Sequence, residues 1–294
     1  MQQVKKNFRT WLKQKGFATG TQEIYYKSAK LFLRWTEEEN IPAEQVQYTD
    51  ILAFIEYLKT KEKSTKTINR YLLSVRHLYE SLKTENNPAI NVILKGTARH
   101  IPSNLLNENE LQELYEKYEV YDLRTQRNKI IIGLLINQAL TRAELQKLKP
   151  EHILLKKGKI IIPGSKRTNQ RTLKLQASQI IELQEYINTI RGNILKINKK
   201  NTSETEQLLI SINGKKELRG SLEHLFRALR KINKSVKNAN QIRISVIANK
   251  LKHNNLREVQ YFAGHKYVSS TERYKLNNIE NLKKEIEKYH PLND

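Results

Sequence analysis

The chain has 294 residues, room for two ordinary domains, and carries 53 Lys+Arg against 30 Asp+Glu, a formal charge of +23. The excess is spread, with 17 basic against 10 acidic residues in 1–100 and 36 against 20 in 101–294, so both halves offer a surface suited to a polyanion such as nucleic acid. The absence of cysteine excludes disulfides, thiolate zinc sites and cysteine nucleophiles, and the lack of a membrane-length apolar run or a signal-type N-terminus predicts a soluble, cytoplasmic protein with no membrane partner.

The first hundred residues read as a helical bundle. Ile24, Ser28, Leu31 and Trp35, flanked by Tyr25, Ala29 and Phe32, form a stripe at helical spacing, with Thr21 as its expected cap. Pro42 falls in the following connection. A second helix is predicted from about Ile51 to Lys59, burying Ile51, Phe54, Ile55 and Leu58 and capped by Thr49 or Asp50. The third carries Ile68, Leu72, Val75, Tyr79 and Leu82 after the hydroxyl-rich run from Ser64 to Thr67; Lys66 and Arg70 lie opposite, on a face open to solvent or to DNA. Asn87-Pro88 ends the bundle, since proline cannot continue a helix. The expected organisation is a helical DNA-binding domain over 1–91, a linker over 92–104 and a second domain over 105–294.

The second domain opens with helices, then changes period. Lys159 to Pro163 is a β-rich run and Arg171 to Leu175 alternates polar with apolar, which predicts a hairpin with a polar loop from Gly164 to Gln170. Helical patterns resume to the end. The fold class is therefore mainly α with a small β hairpin sheet. Near the C-terminus Ile279, Leu282, Ile286 and Tyr289 form an apolar stripe, able to dock on a neighbouring subunit or on its own domain.

Chemistry concentrates in three stretches: Asn240-Gln-Ile-Arg243-Ile-Ser, then Gly264-His265, then Ser270-Thr-Glu-Arg-Tyr274, nine residues past the histidine. Their joint spacing resembles the C-terminal signature of tyrosine recombinases, the phage integrase family, in which an arginine in a His-x-Leu-Arg-His box precedes a Gly-His pair and a nucleophilic tyrosine. Two upstream stretches are similar as well. Residues 127–153 align without gaps on the family's first catalytic box through Leu140, Glu144-Leu145, Leu148 and Ile153, and Lys166 in the hairpin loop matches the catalytic lysine, five residues ahead of Arg171. The N-terminal bundle and the closing Lys288-Tyr-His-Pro291 look like the compact Xer-type members.

The resemblance implies site-specific recombination of double-stranded DNA through a 3′-phosphotyrosine, by four subunits on paired sites. No cofactor is implied, because the ester conserves the energy of the broken bond. Tyr274 would attack, Arg243 would offer paired donors to the nonbridging oxygens, His265 would donate to the phosphate or move a proton, and Lys166 would protonate the departing 5′ oxygen. Three positions depart from the pattern, one of them Ile244, which stands where the box has its second histidine. The family's first catalytic arginine falls on Thr141, with Arg142 one place later, or another basic residue nearby, as the expected substitute, and the first histidine of the second box is Asn240, which donates a hydrogen bond but carries no proton at neutral pH. These changes keep open the alternative of a DNA-binding protein that retains the fold without catalysis; a second alternative, among enzymes, is a type IB topoisomerase-like activity.

Overall fold

The computed structural model describes residues 2–84, 86–96, 104–165, 168–197, 206–214 and 217–274. The chain divides into two compact units, Met1–Arg99 and His100–Asp294. The first is built from α1 (Gln2–Gln14), α2 (Thr19–Glu38), α3 (Tyr48–Thr60) and α4 (Thr65–Leu82).

The expected stripes of α3 and α4 are its core: Ile51, Phe54, Ile55 and Leu58 from one helix, and Ile68, Leu72, Val75 and Tyr79 from the other, are buried. The Tyr79 hydroxyl, which burial would otherwise strand, donates to the Ala43 carbonyl at 2.6 Å. Ser64 caps α4 by accepting from the Thr67 amide, as expected. Two details differ. α2 starts two residues before Thr21, after Ala18, and its buried face is centred on Ala29, Phe32, Leu33 and Thr36, leaving Ile24 44% exposed. α3 starts at Tyr48, with Asp50 inside its first turn accepting from the Gln47 amide at 2.8 Å. After α4 the chain stays bound to this unit as far as Leu94, whose amide and carbonyl are both paired with the Asn69 side chain at 2.9 Å.

The second unit is organised around α6 (Leu123–Gln138), whose stretch Ile130–Ile136 is apolar all round and buried, with Ile131, Ile132, Leu134 and Leu135 fully enclosed. It is preceded by α5 (Glu108–Glu116) and followed by α7 (Arg142–Lys147). Then comes an antiparallel sheet of three strands in order, β1 (Ile153–Leu154), β2 (Lys159–Ile162) and β3 (Arg171–Lys174). The predicted hairpin is β2–β3, in a register that pairs Ile160 with Leu173 and Ile162 with Arg171. β1 extends it through Ile153 and Ile160. α8 (Ala177–Glu185) runs through a π turn at Tyr186–Ile190 into α9 (Arg191–Ile197), and α10 (Arg219–Ile232), α11 (Ala239–His253) and α12 (Leu256–Ala263) complete the domain. Residues 269–274 form a last helical stretch. Among the described residues no helix is long and apolar enough to cross a membrane. The Ile279–Tyr289 stripe lies outside the described residues.

Candidate active site

The site begins with how α11 is held. Asn238 caps it by accepting from the Gln241 amide, and Leu106 is clasped from both sides: its amide donates to Ser245 Oγ at 2.9 Å and its carbonyl accepts from Asn249 Nδ2 at 3.0 Å. On this fixed scaffold Arg243, only 6% exposed, sends Nη1 to the Ala139 carbonyl at 2.5 Å and Nη2 to the Ala263 carbonyl at 2.6 Å. Those carbonyls lie at the C-terminal ends of α6 and α12, where helices leave oxygens unpaired and where partial negative charge gathers. The guanidinium is thus tied to two helix ends, and one of its nitrogens is 3.8 Å from the Glu144 carboxylate.

Glu144 is the hub. It occupies the third position of α7, where Thr141 accepts from its amide and Glu144 Oε2 accepts from the Thr141 amide at 2.8 Å, a reciprocal capping box. Its other oxygen accepts from Arg171 Nη1 at 2.6 Å, in an ion pair whose side chains are 0% and 1% exposed. Burial alone would raise the Glu144 pKa; the hydrogen bond and charge of Arg171, the Thr141 amide and Arg243 outweigh it and hold the carboxyl below its ordinary range. Burial draws the Arg243 pKa down, and Glu144 opposes that shift.

Arg171, at the start of β3, ties this hub to the next element. Gly264 ends α12 with φ +68°, and a Cβ there would stand 2.6 Å from Arg171 Nη1 and 3.1 Å from the Asn169 carbonyl. Both the left-handed backbone and the arginine require glycine. Gly264→Ala is expected to cost about 2–3 kcal/mol from strain and displacement of Arg171, read as a lower denaturation midpoint at unchanged m-value. From Gly264 the hairpin loop is zipped on: the Asn169 amide donates to the Gly264 carbonyl at 2.8 Å, and Thr168 bridges to His265. Lys166, the expected catalytic lysine of this loop, lies outside the described residues.

His265 Nδ1 is 2.8 Å from Thr271 Oγ1, and its ring stacks on Tyr274 at 6.1 Å between centroids and 5° between planes. Arg273 lies over the other ring at 5.3 Å, and Tyr274 is 4% exposed. Burial, reinforced by Arg243, Arg273 and Arg171, lowers the His265 pKa from 6.5 to about 4, so the ring is neutral at pH 7. Because the folded value lies below the unfolded one, the unfolded chain binds the extra proton between pH 4 and 6.5. Stability contributed by the neutral ring is complete above that window and lost as pH falls through it. His265→Gln is therefore expected to remove that component, a few kcal/mol, from the acid loss seen in denaturation curves recorded between those two pH values.

The structure thus brings Arg243, His265 and Tyr274 together, and adds Glu144 and Arg171 beneath them. Asn240, exposed on the first turn of α11, lines one cleft with Arg243, Thr141 and Arg142. Thr141 does not replace the family's arginine. Its uncharged hydroxyl accepts from the Glu144 amide in the α7 cap, and Arg142 begins that helix as an exposed residue. The Thr141-x-x-Glu144 spacing is a capping-box signature that identifies this role from sequence. Arg171 has no such signal, since its partner is 27 positions away.

The family model described as the phage integrase family matches residues 104–291, and that for the phage integrase N-terminal SAM-like domain matches residues 5–88. The chain belongs to the phage integrase family. It is a tyrosine recombinase of Xer-like type, an enzyme of site-specific DNA recombination. Similar proteins include tyrosine recombinase XerC of Oceanobacillus iheyensis, 26% identical with 92% of this chain and 90% of the relative covered. XerD of the same organism is also 26% identical, covering 95% and 94%. Among solved structures, XerH site-specific recombinase bound to difH substrate in a pre-cleavage complex superposes with TM-score 0.68 at 17% identity, over 95% of this recombinase and 84% of that chain. A lambda integrase tetramer bound to a Holliday junction gives TM-score 0.64 at 13% identity, over 93% and 76%. At these identities the superpositions speak for the fold of the recombinase.

Proposed function

We propose that this recombinase cuts double-stranded DNA through Tyr274, whose Oη forms a bond to the scissile phosphorus as the bond from phosphorus to the 5′ oxygen breaks. A 3′-phosphotyrosine is left; the phenolic proton is released and the 5′ oxygen takes one up. The observation that carries the reading is the meeting of Arg243, His265 and Tyr274, drawn from α11, the end of α12 and the last described turn, over the buried Glu144–Arg171 pair.

Arg243 is the phosphate clamp. On binding DNA its donors turn from the Ala139 and Ala263 carbonyls towards the nonbridging oxygens, where charge builds in the transition state. His265 acts as a neutral ring: with Nδ1 engaged by Thr271, Nε2 is the nitrogen that faces phosphate or phenol. Lys166 protonates the 5′ oxygen, Asn240 donates to the phosphate in place of a histidine, and Arg142 contributes to backbone phosphate binding. Residues 1–91 bind DNA, 105–294 carry the chemistry, and 92–104 link them, with the start of that stretch held to the first unit through Leu94. Four copies assemble on paired sites, as the lambda integrase tetramer does on a Holliday junction.

The test is covalent trapping. Incubated with nicked suicide duplexes carrying candidate sites, the wild-type chain is expected to yield a denaturation-resistant protein–DNA species, with the nucleotide located on Tyr274 by mass spectrometry of the digested adduct. A stable noncovalent complex without adduct would overturn the reading in favour of a binding protein.

A further inference from the structure

The cleft that takes in Thr141, Asn240 and Arg243 has a second wall, and it is α10. Arg219, Glu223, Arg227 and Arg230 recur at helical spacing on the face of α10 that lines the cleft, a space of about 740 Å³. Together with Arg142, Lys237 and Arg243 the lining holds six basic side chains against one carboxylate, Glu223. That carboxylate is taken by Arg219 at 3.4 Å, and Arg230 Nη1 donates to the Lys237 carbonyl at 3.3 Å. Arg243 is held by two carbonyls. Of the cleft's arginines, Arg142 and Arg227 are the two without a hydrogen bond or ion pair among the described residues.

A concave site with unneutralised cations on both walls is suited to an anion, and the neighbours of this one are those of the scissile phosphate. We propose that Arg227 supplies the second guanidinium to that phosphate, opposite Arg243, in place of the arginine that Thr141 displaces; the inference rests on the cleavage reading above. Arg227 is better placed for the task than Arg142. Arg142 leaves the same wall as the missing residue but is the first residue of a helix of only 6 residues, after the extended cap residue Thr141. Arg227 projects from the middle of a 14-residue helix anchored in the core by Leu222, Leu225, Phe226 and Leu229, so its starting point is rigid. A charge lost from one wall is restored from the other, and Arg142 is left to flanking backbone.

Single-turnover cleavage of the suicide substrate at saturating protein, with affinity measured separately, tests this for wild type, Arg227→Ala, Arg227→Lys and Arg142→Ala. Arg227 is exposed, so its variants are expected to fold. Arg227→Ala is expected to slow cleavage at saturation by about 100-fold, with Arg227→Lys recovering only part of the rate. Arg142→Ala is expected to change mainly affinity and its salt dependence. A scissile methylphosphonate, which lacks the charge to be neutralised, is expected to narrow the gap between Arg227→Ala and wild type. Overturning results are a saturated Arg227→Ala rate equal to wild type, or a loss that Arg227→Lys restores fully and that appears only in affinity. If wild type itself gives no adduct, the cleavage reading fails and takes this inference with it; an active wild type with an unaffected Arg227→Ala removes this inference alone.

Discussion

Replacing Tyr274 by phenylalanine is expected to lower covalent adduct formation by on the order of 10⁶-fold while leaving DNA affinity and thermal midpoint close to wild type. The separation follows from what each part of the side chain does. The ring packs against the second unit's core and stacks on His265, and phenylalanine keeps both contacts at nearly the same volume. On the cleavage reading above the hydroxyl makes the bond to phosphorus, while His265 and Arg273 flank the same ring as donors or cations, not as oxygen nucleophiles. Adduct yield on denaturing gels, binding by fluorescence anisotropy and melting by circular dichroism give the three readouts. Adduct persisting at more than about one part in a hundred would place the nucleophile on another residue; a large fall in affinity or midpoint would make Tyr274 a structural residue.

What the sequence made readable was whatever depends on neighbours in the chain. The buried sides of α3 and α4 follow from period because Ile51–Leu58 and Ile68–Tyr79 each mark an apolar stripe, although Leu52 of α3 stays 42% exposed. In α2 adjacent apolar positions compete, and packing against the rest of the unit chose Ala29, Phe32 and Leu33 over Ile24. The β2–β3 hairpin was legible for the same local reason. So was the spacing of Arg243, His265 and Tyr274, since α11, α12 and one further turn follow one another. The Arg171–Glu144 pair was not, because it depends on β3 lying beside α7. Nor was the arginine face of α10, which has meaning only when the start of α11 stands across from it. In a chain with 53 basic residues, composition cannot single out the few whose charges converge.

Glu144 carries the other large effect. Glu144→Ala is expected to destabilise the second unit by about 3–5 kcal/mol, the usual cost of leaving a buried charge without its partner. Two guanidiniums lose their counter-charge at once, Arg171 at 0% side-chain exposure and Arg243 at 7%. Arg171 is already under strain in this respect, with Nε and Nη2 buried and without hydrogen-bond partners among the described residues. The α7 cap also loses the carboxylate that receives the Thr141 amide. The two probes separate the units: both tryptophans, Trp11 and Trp35, belong to the first, while circular dichroism reports helices of both. The expected result is a dichroism transition displaced to lower denaturant, with the tryptophan transition moving less. A Glu144→Gln variant adds the sign of the charge. The folded carboxyl titrates below its ordinary range, so the stability that ionisation confers is present above the unfolded pKa and lost as pH falls through the folded one. The gap between wild type and Glu144→Gln should therefore be widest near neutral pH and close in acid. A gap that stayed constant with pH, or a Glu144→Ala loss below about 0.5 kcal/mol, would mean that the two arginines find their counter-charge elsewhere. Arg243 would then be held by the Ala139 and Ala263 carbonyls without help from Glu144.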